Sequence, residues 1–265
     1  MKTLAVVLAL ALLSAQASAL VIGGGVGEVG SEVTIYDGDS KYDTGWYGKQ
    51  EDQEVEPGMA SHQKWDAEGM FFDGTNLTMV GGFDFLNGVA GYTGVGSEKD
   101  FTSGDIFIDI DGDRIAGSTT SAINGQLNVA NTFGFDYVLD VNWAAGTYDV
   151  LSIDTQSTVT TAYYKANYGS SPWLYNNGGT LLGSGTLEYF AGLTDADTGF
   201  LGGSHYAVTG FDLSFLNVDS FDISWTMGCG NDHLVGSVST VPEPGSIALL
   251  VFGLLGLGLA RRRAA

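Results

Sequence analysis

"FGFDYVLDVNW", residues 133–143, is the stretch on which the fold turns. Phe135, Tyr137, Leu139, Val141 and Trp143 alternate with Asp136, Asp140 and Asn142, a period of two that gives a strand one apolar and one polar face. The pattern recurs elsewhere. In "GDIFIDIDGD", residues 104–113, Ile106, Ile108 and Ile110 face one way while Phe107 and Asp109 face the other. "VTGFDLSFL", residues 208–216, aligns Phe211, Leu213 and Phe215, and "SFDISWTMGCG", residues 220–230, aligns Phe221, Ile223, Trp225, Met227 and Cys229. Alternation with polar outward faces predicts antiparallel sheets buried on one side and packed in pairs. The expected fold is all-β, an antiparallel β-sandwich of jelly-roll-like form. Forty glycines fit many tight turns and argue against long helices in the body.

At 265 residues with 44% apolar content, the chain has material for one large core. No repeat or linker divides it, so the body is read as one domain, 20–235, followed by a spacer, "GSVST", at 236–240. Asp37 to Gln63 is Gly-rich and polar, and reads as a long loop region. Lys and Arg number 10 against 31 Asp and Glu, and four of those bases (Lys2, Arg261, Arg262, Arg263) lie in the terminal segments. A body this acidic repels nucleic acid, which needs clustered Lys and Arg. It suits solubility by self-repulsion or the collection of divalent cations. The single cysteine, Cys229, excludes an intramolecular disulfide and is expected to be a small buried hydrophobe.

The two ends carry the clearest signals. Lys2, the apolar run Leu4 to Leu13 and the small residues Ala17 and Ala19 form a secretory signal peptide over 1–19, to be removed by signal peptidase after Ala19. At the other end, Gly245 to Ala260 is uncharged and is read as a single transmembrane helix in the inner membrane. Arg261, Arg262 and Arg263 follow as a positive-inside stop. Before the apolar run stand Val241, Pro242, Glu243 and Pro244, whose prolines hold the backbone extended and open to a protease. This tripartite end, 241–265, resembles the PEP-CTERM sorting signal of Gram-negative bacteria that make exopolysaccharide. The resemblance implies processing by an exosortase, an integral-membrane cysteine protease, and passage to the cell surface or extracellular matrix.

Within the body, Asp109, Asp111 and Asp113 surround Gly112 at a strand end, three carboxylates able to converge on Ca²⁺. Arg114 at the sixth position departs from an EF-hand loop, and the alternative is an Asp-Gly turn with solvated acids. Asp66 and Glu68, spaced i and i+2, are expected on one strand face, either meeting the Asp109 group across a sheet or simply exposed. Trp46 and Trp173 lie in Gly- and Asn-rich stretches and are candidate sugar-stacking residues, with core packing as the alternative. His62, His205 and His233 are too scattered for a zinc site. The order "WDAEGMFFD", "NLTMVGGF", "GDIFIDIDGD", "FGFDYVLDV", with "HYAVTGFDLSFL" and "TMGCGND" after it, resembles other PEP-CTERM protein bodies. More loosely, it is similar to DOMON or family-nine carbohydrate-binding sandwiches, some of which hold Ca²⁺. The expectation is an exported, non-enzymatic surface or matrix protein with Ca²⁺ as its ion. The rival readings are an exopolysaccharide-binding module and a matrix glycosidase built on two carboxylates.

Overall fold

A computed structural model describes residues 20–35, 62–92, 98–115, 126–163 and 172–239. Among these the chain runs through β1 (Leu20–Ile22), β2 (Gly27–Glu32), β3 (Ala67–Phe72), β4 (Asn76–Gly81), β5 (Val89–Tyr92) and β6 (Glu98–Phe101). It continues through β7 (Ile106–Asp109), β8 (Asn128–Ala130), β9 (Tyr137–Asn142), β10 (Thr147–Ser152), β11 (Thr158–Thr160) and β12 (Leu174–Asn177). The last strands are β13 (Thr180–Thr186), β14 (Glu188–Leu193), β15 (His205–Asp212), β16 (Ser220–Thr226) and β17 (His233–Ser239), with one short helix, α1 (Asp195–Thr198), before β15. One six-stranded sheet has the order β1-β2-β3-β4-β15-β14 and a second has β13-β10-β9-β7-β16-β17. A three-stranded sheet, β12-β11-β8, and the hairpin β5-β6 complete the body.

The two large sheets form the expected sandwich. Met70, Leu77, Met79, Val208 and Phe211 of the first sheet share one core with Ile106, Ile108, Leu139, Val141, Ile223 and Trp225 of the second. Phe221, Met227 and Cys229 join it, so the alternation read in 220–230 is the alternation the fold uses. The sandwich closes along one side. Residues 33–35, just past β2, bond to both sheets: Val33 N–H donates to Met70 C=O at 2.9 Å, Ile35 N–H to Val235 C=O at 2.7 Å, and Val33 C=O accepts from Ser237 N–H at 2.8 Å. The stretch 236–239, expected as a spacer, is therefore the end of β17, paired with β16 as far as Ser239↔Ser220.

The outer faces depart from expectation, because neither is simply polar. On the second sheet, Phe107 and Val138 pack under Val159 of the three-stranded sheet, together with Phe133, Phe135 and Ile153. Phe135 thus belongs to this outer cluster and not to the inner face with Tyr137 and Leu139. On the first sheet, Phe71, Val80 and Ala207 cluster with Ile22, Val29 and Leu193 from the outer strands of the same sheet and with Phe200, which follows α1. The body is layered beyond two sheets, and polar groups at these junctions are buried.

Asp105 shows the consequence. Its carboxylate accepts the Val141 N–H at 2.9 Å and the Tyr175 N–H at 2.7 Å, tying β7, β9 and β12 together. Burial pushes its pKa up to about 8 against those two bonds. Asp105→Ala orphans two backbone donors and is expected to cost about 2–4 kcal/mol of stability. A urea-denaturation midpoint equal to wild type would remove this clamp from the account.

Candidate functional site

The loop after β7 is built around Asp109. Its Oδ1 accepts the N–H groups of Asp111 at 3.0 Å and Gly112 at 2.8 Å, and its Oδ2 that of Arg114 at 2.9 Å, while Asp111 Oδ1 accepts the Asp113 N–H at 3.2 Å. Gly112 has φ 81°, a left-handed turn that favours glycine. The Asp-Gly turn is thus present, and it gathers carboxylates. β7 pairs with β9 in the register Ile108↔Tyr137, which sets Asp136 beside the loop, and Asp136 Oδ2 accepts the Ile110 N–H at 2.9 Å.

Asp109, Asp111 and Asp136 each place a carboxylate oxygen within 4.8 Å of the others. Among the described residues no Lys, Arg or His bonds to any of the three; the nearby Arg114 turns its guanidinium to Asp222 at 3.4 Å. Electrostatics record the crowding. Repulsion from Asp111, then partial desolvation and Asp109, raises the pKa of the exposed Asp113. Burial first, then Asp111, Asp109 and Asp113, raises that of Asp136. Beside the cluster opens a cavity of about 380 Å³ lined by Asp113, Asn131, Thr132, Phe135, Asp136 and Asp154, among others. Asn131 is 2% exposed, and its Oδ1 is buried with no hydrogen-bond partner, while its Nδ2 donates to Phe135 C=O at 2.8 Å. A hard cation prefers such carboxylate and carbonyl oxygens.

The carboxylates that converge differ from those expected to do so. Asp136, which reads as an ordinary polar strand position, joins Asp109 and Asp111; Asp113 stands at the cavity wall outside the converging three. Asp66 and Glu68 are neither exposed nor part of the cluster, and both are fully buried. Asp66 follows a 3-10 turn, Gln63–Trp65, and Glu68 lies in β3 of the first sheet. Glu68 accepts from Gln63 Nε2 at 2.7 Å and meets His205 Nδ1 at 2.7 Å, and the other ring nitrogen of His205 meets Asp195 Oδ1 at 2.9 Å. Apolar neighbours on both sides, Trp65, Ala67 and Met70, were the signal that this run is buried.

Trp173 is half-buried. Its indole lies where a Cβ on Gly104 or Gly228 would come within 2.5 and 2.9 Å of ring atoms, so two glycines make room for it against the fold. The three histidines stand apart, as expected: His62 caps the short turn before β3, His205 opens β15, and buried His233 pairs its Nε2 with Ser224 Oγ at 2.7 Å. Burial, then the charge of Arg114, drives the pKa of His233 down to about 3, which keeps it neutral. Cys229 is a buried thiol in the main core, as expected.

Trp46, the signal-peptide residues up to Ala19 and the segment 240–265 lie outside the described residues. Among the described residues no helix is long and apolar enough to cross a membrane. Residues 240–263 match the family model for the PEP-CTERM protein-sorting motif. The chain carries a PEP-CTERM sorting motif, the mark of exosortase processing. That places Val241 to Pro244 and the three terminal arginines, Arg261, Arg262 and Arg263, within or at the edge of a sorting signal, and it means export and delivery to the cell surface. No curated protein and no solved structure matches the chain.

Proposed function

We propose that the body of this PEP-CTERM protein is a non-enzymatic module that takes up Ca²⁺ at Asp109, Asp111 and Asp136 and holds exopolysaccharide in the adjoining cavity at the cell surface or in the matrix. The observation that carries the reading is the convergence of three carboxylates from two chain segments, 4.8 Å or less apart, next to the unpartnered buried oxygen of Asn131. Three anions held together by the fold repel one another, so a divalent cation between them returns electrostatic energy already stored in the folded state. The cavity has polar walls (Asp113, Asn131, Thr132, Asp154) and one aromatic wall, Phe135, which suits a sugar ring presenting hydroxyls on its edges. In this scheme the cation also links the protein to acidic groups of the polymer.

Thermal unfolding of the full chain, with Ca²⁺ or with chelator, tests the reading. At about 100 times Kd, Ca²⁺ adds about 2.7 kcal/mol, a rise of several degrees in Tm for a body of this size. Asp136→Asn is expected to abolish the rise and Asp111→Asn to weaken it. A Ca²⁺ response of wild-type size in Asp136→Asn would overturn the site. Co-sedimentation with the host's exopolysaccharide reports the second step: binding lost on chelation supports the reading, and release of reducing sugar replaces it with a glycosidase.

A further inference from the structure

We propose that the free edge of β13 is a self-association surface through which two copies of this chain pair, antiparallel and two-fold symmetric about Gly183. The inference is independent of the cation site.

A strand at the end of a sheet presents unpaired N–H and C=O groups, and proteins blunt such edges with charge, proline, shortness or a cover. Three ends of the two large sheets are blunted. β17 is covered by residues 33–35, β1 has three residues, and β14 carries Glu188 and breaks register between Phe190 and Leu193. β13, "TLLGSGT", is different: seven residues without charge or proline, all exposed except half-buried Gly185. It pairs only with β10, and among the described residues nothing bonds to its other side. The register shift opposite Val150 and Leu151 turns both Leu181 and Leu182 outward, 58% and 51% exposed. An unpaired backbone ladder and two exposed leucines therefore occupy one short edge.

The occupant follows from charge and symmetry. The chain carries a net charge of −21, so a second copy is repelled along most approaches. β13 is a neutral stretch, and an identical strand meets it with the same neutrality. Antiparallel pairing about Gly183 sets Leu182 opposite Ser184 and Leu181 opposite Gly185, so each large side chain faces a small one. An acidic polysaccharide or a nucleic acid has no peptide ladder to offer this edge.

Gly183 makes the idea testable without harming the fold, because a Cβ there would meet nothing within 4 Å. Cross-strand Cα atoms in such a pair lie about 4.5–5.5 Å apart, within disulfide reach. Under mild oxidation, full-length Gly183→Cys is expected to form a covalent dimer at least tenfold faster than Ser214→Cys, an exposed control, since native Cys229 is buried. Sedimentation of the wild-type full chain is expected to show a dimer that strengthens with salt as the acidic bodies are screened. In Gly183→Lys, which sets like charges face to face, the dimer Kd rises about tenfold or more, while the Tm measured at concentrations where the wild type is monomeric stays unchanged. A monomer at every concentration, a dimer that survives Gly183→Lys, as one held by the apolar tail would, or equal crosslinking of the two cysteine variants overturns the proposal.

Discussion

Trp225→Ala is expected to lower the unfolding free energy by about 3–5 kcal/mol, moving Tm down by roughly 6–20 °C for a chain of this size. Trp225 is the largest fully buried side chain of the main core, 0% exposed on β16. Its ring centroid lies 5.7 Å from that of Phe83 and 5.2 Å from that of Phe85, in tilted and edge-on arrangements that reward aromatic pairs beyond area alone. Phe85 in turn stacks on Trp143 at 6.3 Å, so the cavity left by alanine opens into a continuous aromatic cluster drawn from both sheets. The indole Nε1 has no hydrogen-bond partner. Trp225→Phe thus keeps most of the packing and removes an unpaired buried donor, and it should cost far less than alanine. Urea denaturation of both variants is the check. An alanine variant no less stable than Leu182→Ala, a change at an exposed edge position, would show that the two sheets do not meet around this residue.

That core was legible because β16 writes it in one run: Phe221, Ile223, Trp225 and Met227 alternate, and all four are buried together. The outer layers were not legible. Alternation marks the more apolar face of a strand, but whether the second face is covered depends on segments far away in sequence. Phe107 and Val138 are buried by Val159 of β11, a three-residue strand too short to show a period. Likewise, Asp111 could be picked out from the Asp-Gly spacing, whereas Asp136 could not. It reads as an ordinary polar position, and only the β7–β9 register brings it to Asp109. The sorting signal needed no fold at all, because its three parts are contiguous in the chain.

His205→Ala is expected to cost about 3–5 kcal/mol near pH 6, the scale of breaking a buried charged network by removing one member. His205 and Glu68 are 0% exposed, and both ring nitrogens of His205 face carboxylates, at 2.7 Å and 2.9 Å. Two carboxylate acceptors favour the doubly protonated imidazole. Burial opposes that charge, but the bonds to Glu68 and Asp195 outweigh it and raise the histidine pKa above its ordinary 6.5. The sign of the pH dependence follows. A group whose folded pKa lies above its unfolded value stabilises fully below the unfolded pKa and loses that contribution as pH rises through the folded one. The stability difference between wild type and His205→Ala should therefore shrink on going from about pH 6 to about pH 9. Asp195 anchors α1, and its carboxylate also accepts the Gly203 N–H at 2.6 Å. Loss of the imidazolium should thus free α1 and the turn before β15 first, seen as faster amide exchange there than in β16. A difference constant across that pH range, or exchange rising uniformly, would mean that His205 is a neutral packing residue, with Glu68 protonated beside it.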